Sequence, residues 1–243
     1  PFGPLVGTHD ALYQPMYVTV DYFDEALKAL SRLMSDPGES QTLVNLLPGP
    51  VGISRDVREV FSGDPVSHRS KSFVRDFLET KRLLCELVGA KHVEIMVGSG
   101  SLANDAIAGQ ISLLDAPGLI LTNGEFGNRV IDHATRFGLS FDTVRAEWGD
   151  PFDPDEVRAA LERRPEIEWM WGVHCETSTS LLNDLETLRS LCAPREVKLC
   201  MDCISSIGTV PVDLDGVYLA SGVSGKGLGS FPGLSMVFYN HAI

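Results

Sequence analysis

The chain has 243 residues, 44% of them hydrophobic and 22% charged, the balance of a globular protein. Lys and Arg number 20 against 33 Asp and Glu, a net charge of −13 with no basic run, which argues against binding to nucleic acid or to an anionic membrane surface. No apolar stretch reaches the roughly 18 residues of a membrane helix, and the first residues lack the basic and apolar regions of a signal peptide.

At about 150 residues per domain, one large domain, alone or with an appendage, is expected. Residues 1–44 read as an N-terminal extension of unclear role, containing an amphipathic helix over Asp21–Met34 that ends at Ser35-Asp-Pro-Gly38. Leu46-Leu-Pro-Gly-Pro50 is a stiff turn. From residue 66 the pattern alternates. Helices are predicted over Phe73–Val88, Leu102–Leu114, Phe126–Phe137, Asp153–Glu162 and Leu182–Leu191. Strands are predicted over His92–Val97, Leu119–Asn123, Phe141–Ala146, Trp169–His174, Val197–Asp202, Val217–Ser221 and Leu234–Tyr239. Such alternation implies βαβ crossovers and a seven-stranded, mostly parallel sheet between helices, an α/β fold over 45–243. The chain opens on Pro1 and stops just after an apolar strand pattern, so a fragment or a processed chain is expected. The cysteines, Cys85, Cys175, Cys192, Cys200 and Cys203, are odd in number and lie mostly in apolar runs. This fits reduced thiols in the cytoplasm. Cys200-Met-Asp-Cys203 has CxxC spacing, but no second pair or His cluster completes a metal site, and none is expected.

In open α/β sheets ligands bind beyond the carboxyl ends of the strands, so the residues there carry the information. Gly98-Ser-Gly-Ser101 lies between a strand and a helix, where backbone N–H groups and the hydroxyls of Ser99 and Ser101 suit a phosphate; a plain tight turn accounts for it equally. Asp202 ends an apolar strand, where a carboxylate is costly unless paired, and a protonated ring nitrogen is one partner; a turn aspartate is the plainer reading. Lys226 sits among glycines between two buried strands, where partial desolvation makes an amine nucleophilic; it also reads as an exposed loop lysine. Phe126 could stack on a planar ligand or simply fill the core. Thr177 and Ser178 could bond a ring oxygen or cap the next helix. His68 and Arg69 could clamp a carboxylate or phosphate, or begin a solvated helix. Taken in order, these strand ends suit one ligand that is phosphorylated, planar, basic at a ring nitrogen and able to condense with an amine. Pyridoxal 5′-phosphate (PLP) has all four properties.

The segments Leu47-Pro-Gly-Pro50, Ser67-His-Arg-Ser70, Gly98-Ser-Gly-Ser101, Asn123-Gly-Glu-Phe-Gly127, His174-Cys-Glu-Thr-Ser-Thr179, Met201-Asp-Cys-Ile-Ser-Ser206 and Ser224-Gly-Lys226 with Pro232-Gly233 resemble, in order, those of the class V aminotransferases. That family includes alanine–glyoxylate, serine–glyoxylate and phosphoserine aminotransferases. The resemblance runs from about Asn45 to Phe238. It implies the large domain of PLP fold type I, with Lys226 as Schiff-base lysine and proton shuttle and Asp202 paired with the pyridine nitrogen. It implies Phe126 on the ring, Thr177 on the ring hydroxyl, and Ser99, Gly100, Ser101 and Ser224 among the cofactor-binding residues. His68 and Arg69 match a pair that contacts the substrate phosphate in phosphoserine aminotransferases. Two departures stand out. Gly225 replaces the glutamine that many members carry before the lysine. The family's smaller C-terminal domain, with the arginine that binds the substrate carboxylate, has no counterpart in these residues.

The resemblance implies a homodimer moving an amino group from a small amino acid to a 2-oxo acid. A PLP-dependent lyase on the same site and a truncated non-catalytic relative remain alternatives. A nucleotide-binding oxidoreductase built on Gly98-x-Gly100 leaves Lys226 and Asp202 without a role.

Overall fold

The computed structural model describes residues 47–242. The expected helix Asp21–Met34 and the extension 1–44 lie outside the described residues. The described chain runs α1 (Arg55–Phe61), α2 (Lys71–Val88), β1 (His92–Val97), α3 (Gly100–Ser112), β2 (Gly118–Thr122), α4 (Glu125–Arg136), β3 (Phe141–Arg145), α5 (Pro154–Arg163) and β4 (Trp169–Val173). It continues through β5 (Cys175–Glu176), β6 (Leu181–Leu182), α6 (Leu185–Cys192), a 3-10 turn (Ala193–Arg195), β7 (Lys198–Asp202), β8 (Leu219–Val223) and β9 (Leu234–Tyr239).

Seven strands form one sheet in the order β1-β9-β8-β7-β4-β2-β3. The pairs β2–β3, β2–β4, β4–β7 and β7–β8 are parallel, and β9 is antiparallel to both neighbours. All strands of this sheet but β9 therefore point their carboxyl ends to the same edge. Side chains alternate across the pleat and build two cores. Leu119, Leu121, Met170, Leu199 and Met201 face one side, covered by α5 and α6 through Val157, Leu161, Leu188 and Leu191. Ile120, Trp169, Trp171 and Cys200 face the other, covered by α3 and α4 through Ile107, Ile111 and Val130. Every residue of β2 and of β4 is buried. Burying an aliphatic side chain of this kind contributes about 1.5–3 kcal/mol, so the two layers are the main source of stability.

The expected mostly parallel sheet is present, with several element boundaries moved. Helix α3 starts at Gly100, two residues before the expected Leu102, because Ser99 already takes the extended N-cap conformation. Strand β8 covers Leu219–Val223 rather than Val217–Ser221, since Gly222 and Val223 pair with Met236 and Ser235 of β9. Helix α6 starts at Leu185, because Asp184 caps it through the Thr187 N–H. Leu182, the expected first residue, instead pairs with Cys175, beside the Leu181–Glu176 pair, in a short hairpin. Helix α1 was not expected. It is capped by Ser54, and its apolar Val57, Val60 and Phe61 lie at helical spacing without being buried.

Candidate active site

Asp202 is the last residue of β7, paired in register with Val173 of β4 and Ser221 of β8. The residue is 6% exposed. Oδ2 accepts the Asn104 side-chain amide at 2.8 Å and Oδ1 accepts the Ile204 backbone N–H at 3.0 Å. Burial pushes the carboxyl above its ordinary value, opposed by those two hydrogen bonds and by the charge of Lys226.

Lys226 follows β8 in the loop to β9. The Ser224 hydroxyl closes that loop, donating to the Phe231 carbonyl at 2.6 Å and accepting the Leu234 N–H at 3.2 Å. The lysine stem packs on Gly49, whose peptide bond to Pro50 is cis. A Cβ at Gly49 would stand 3.0 Å from Lys226 Cγ, so any larger residue there presses on the lysine. Nζ donates to Ser205 Oγ at 2.8 Å and lies 5.4 Å from the centroid of the Phe126 ring. Burial holds the amine below the ordinary lysine value, with Asp202 and Cys175 opposing the shift and Arg129 adding to it.

Asp202, Lys226, Ser205, Asn104 and Phe126 line a common cavity of about 170 Å³, with Gly100 and Ser101 on its rim. Ser99 faces a second hollow of about 300 Å³ that shares Gly100 and Lys226 with the first. At the start of α3 the Ser99 side chain makes no capping bond, so this helix start has no side-chain cap of its own to fill it. The structure thus brings together Gly100, Ser101, Phe126, Asp202 and Lys226, with Ser99 adjacent. Ser224 and Thr177 do not line either hollow. The Ser224 hydroxyl is spent on the lysine loop, and Thr177 is half-buried beside Glu176. His68 and Arg69 are exposed in the turn before α2 and line neither hollow.

Sequence reasoning passed over four residues of the site. Asn104 carries a polar group on the otherwise apolar buried face of α3, which was its signal. Ser205 lies three residues after Asp202, within a segment already singled out. Arg129 sits one helical turn beyond Phe126 with its guanidinium 5.1 Å from that ring's centroid. His133, another turn on, is buried and donates from Nδ1 to the Asp105 carboxylate at 2.6 Å.

These residues fit PLP. A buried carboxylate held by two hydrogen bonds faces the cavity, where a ring N–H would meet it. An amine depressed by burial stands over an aromatic face. A helix start without a side-chain cap lies at the rim, where a phosphate suits it.

No family model matches the sequence. Among curated proteins, the chain is 32% identical to a soluble hydrogenase 42 kDa subunit of Anabaena cylindrica over 204 residues, 80% of this chain and 52% of that protein. It is 29% identical to the 2-aminoethylphosphonate–pyruvate transaminase of Pseudomonas entomophila over 208 residues, 82% of this chain and 55% of that one. Among solved structures, the alanine–glyoxylate aminotransferase of Nostoc sp. superposes with a TM-score of 0.74 at 33% identity, covering 86% of this chain and 56% of that one. The chain spans about half the length of these relatives. The chain's homologues and structural neighbours are class V aminotransferases of PLP fold type I, and its seven-stranded α/β sheet matches that fold.

Proposed function

We propose that this protein is a PLP-dependent aminotransferase that moves an amino group from a small amino acid to a 2-oxo acid. The observation that carries the reading is a single cavity holding the buried Asp202 carboxylate and the Lys226 amine, with Phe126 in its wall. When bound, PLP supplies an aldehyde that exchanges amino groups and a ring that accepts electron density from the substrate carbon.

The chain's own residues then have distinct tasks. Lys226 Nζ would be the point of attachment, and as a free amine it would take the proton from the substrate α-carbon. Its depressed basicity leaves a larger fraction of the amine unprotonated near neutral pH. Asp202 holds a proton on the ring nitrogen, and Asn104 and the Ile204 N–H fix the carboxylate that does so. Phe126 covers one ring face. Ser99, Gly100 and Ser101 receive the phosphate at the start of α3. By the resemblance Thr177 would bond the ring hydroxyl from beside Glu176, outside both hollows, and Ser224 acts by holding the lysine loop closed. His68 and Arg69, exposed before α2, are free to meet an acidic substrate group.

We further propose that residues 45–243 form the PLP-binding large domain, and that the protein acts as a homodimer in the cytoplasm. The apolar side chains Phe73, Val74, Leu78, Leu83 and Leu87 exposed along α2 support a partner surface. The five free cysteines support a reducing compartment. No helix among the described residues is long and apolar enough to cross a membrane.

The test is incubation of the purified protein and PLP with alanine, serine, phosphoserine or 2-aminoethylphosphonate, each with pyruvate or glyoxylate. Formation of the amino acid corresponding to the 2-oxo acid is expected. Release of ammonia with no such amino acid would replace the reading by elimination chemistry.

A further inference from the structure

Glu176 is fully buried at the end of β5; it lies inside the segment His174-Cys-Glu-Thr-Ser-Thr179 but the resemblance gives it no role there, and it lines neither hollow. Its carboxylate reaches across to α4, about fifty residues earlier in the chain. Oε2 accepts the backbone N–H groups of Phe126 at 2.9 Å and Gly127 at 3.0 Å. Oε1 accepts the Ser178 N–H at 3.1 Å and the Ser178 hydroxyl at 2.6 Å. Ser178 Oγ in turn accepts the Glu125 N–H at 3.0 Å. Three successive first-turn donors of α4 thus end on one carboxylate and its serine. The helix has no cap of its own, because its N-cap is Gly124. A Cβ at Gly124 would fall 2.5 Å from Glu176 Cγ and Cδ, so the close approach requires glycine there.

Phe126 donates to this carboxylate through its own backbone, and Thr177 is the residue directly after Glu176. Both are assigned above to the cofactor ring. We propose that Glu176 is a positioning residue that fixes the gap between Phe126 and Thr177, and with it the seat of the PLP ring. The role in ring seating rests on the PLP reading; the tie between β5 and α4 does not. Glutamine at 176 would replace one acceptor oxygen by a donor facing either the α4 N–H pair or the Ser178 N–H, which the site cannot satisfy.

The experiment compares Glu176→Gln and Ser178→Ala with the wild-type protein, measuring amide hydrogen exchange at Phe126 and Gly127, melting temperature, PLP dissociation constant and the visible circular dichroism of bound PLP. E176Q is expected to speed exchange at both amides, to weaken PLP about tenfold and to reduce the dichroic band. S178A, which alters an exposed side chain, is expected to weaken PLP about threefold. A lower melting temperature with unchanged PLP affinity and dichroism would show a purely structural role and overturn the proposal. So would unchanged exchange at Phe126 and Gly127. If E176Q does not fold, an unchanged PLP affinity in S178A overturns it by itself. If the wild-type protein takes up no PLP, the functional reading fails, and the exchange data still decide whether Glu176 holds α4.

Discussion

Two buried carboxylates stand at two strand ends, Asp202 in the seven-stranded sheet and Glu176 in the two-stranded hairpin, and they are built differently. Glu176, after β5, takes four hydrogen bonds that saturate both oxygens and faces no cavity. Asp202, after β7, takes two, and its carboxyl is pushed up by burial while it looks into a cavity with Lys226. A buried acid whose lone pairs are filled by the backbone holds elements together. One left partly open, beside an amine, is prepared for a cationic partner that the protein itself does not provide.

The sharpest way to break this contrast is at the amine. Lys226→Ala is expected to lower turnover about 10⁴-fold or more while leaving PLP able to bind, measured by steady-state assay and equilibrium dialysis. Loss of binding equal to the loss of turnover would assign the lysine to affinity alone.

Asp202→Asn should separate stability from chemistry. Burial holds the native carboxyl above its unfolded value, so the unfolded chain releases this proton at lower pH. The charge therefore opposes folding once the pH passes the unfolded value, and increasingly as it rises through the native one. The ligand-free variant is expected to melt a few degrees higher at pH 7 than wild type, with turnover about 10²–10³-fold lower. The matching change at Glu176 is expected to have the opposite sign in melting temperature, because its oxygens already have protein partners.

A smaller effect is expected at Ser205. The protonated Lys226 amine donates to its hydroxyl, a bond that favours the charged form. PLP uptake needs the neutral amine, so it rises with pH through the depressed value. Ser205→Ala should move the midpoint of that rise to lower pH. The smallest change in cofactor binding is expected from Arg69→Ala, which should leave PLP affinity unaltered and raise KM for acidic substrates about threefold.

Much of this contrast was legible in the sequence, and part of it was not. Asp202 and Lys226 announced themselves because each breaks an apolar or glycine-rich surrounding. The layers were legible because Leu119, Ile120 and Leu121 are apolar on successive pleats, as a sheet covered on both faces requires. Glu176 was hidden because its partners are backbone N–H groups about fifty residues away, and nothing local predicts them. Asn104 did leave a local signal, a polar residue on an apolar helix face, but its partner, the distant Asp202 carboxylate, is visible only in the fold. Strand β8 was misplaced because pairing with β9, rather than local composition, decides that Gly222 and Val223 belong to it. Helix α6 starts at Leu185 rather than Leu182 because Asp184 caps it and Leu182 is taken into the hairpin with Cys175.

The most direct test of the central claim is borohydride reduction of the PLP-treated protein, followed by peptide mass spectrometry. The expected result is loss of the visible absorbance band and one reduced pyridoxyl adduct, on Lys226. An adduct on exposed lysines alone, or no adduct after PLP treatment, would contradict it.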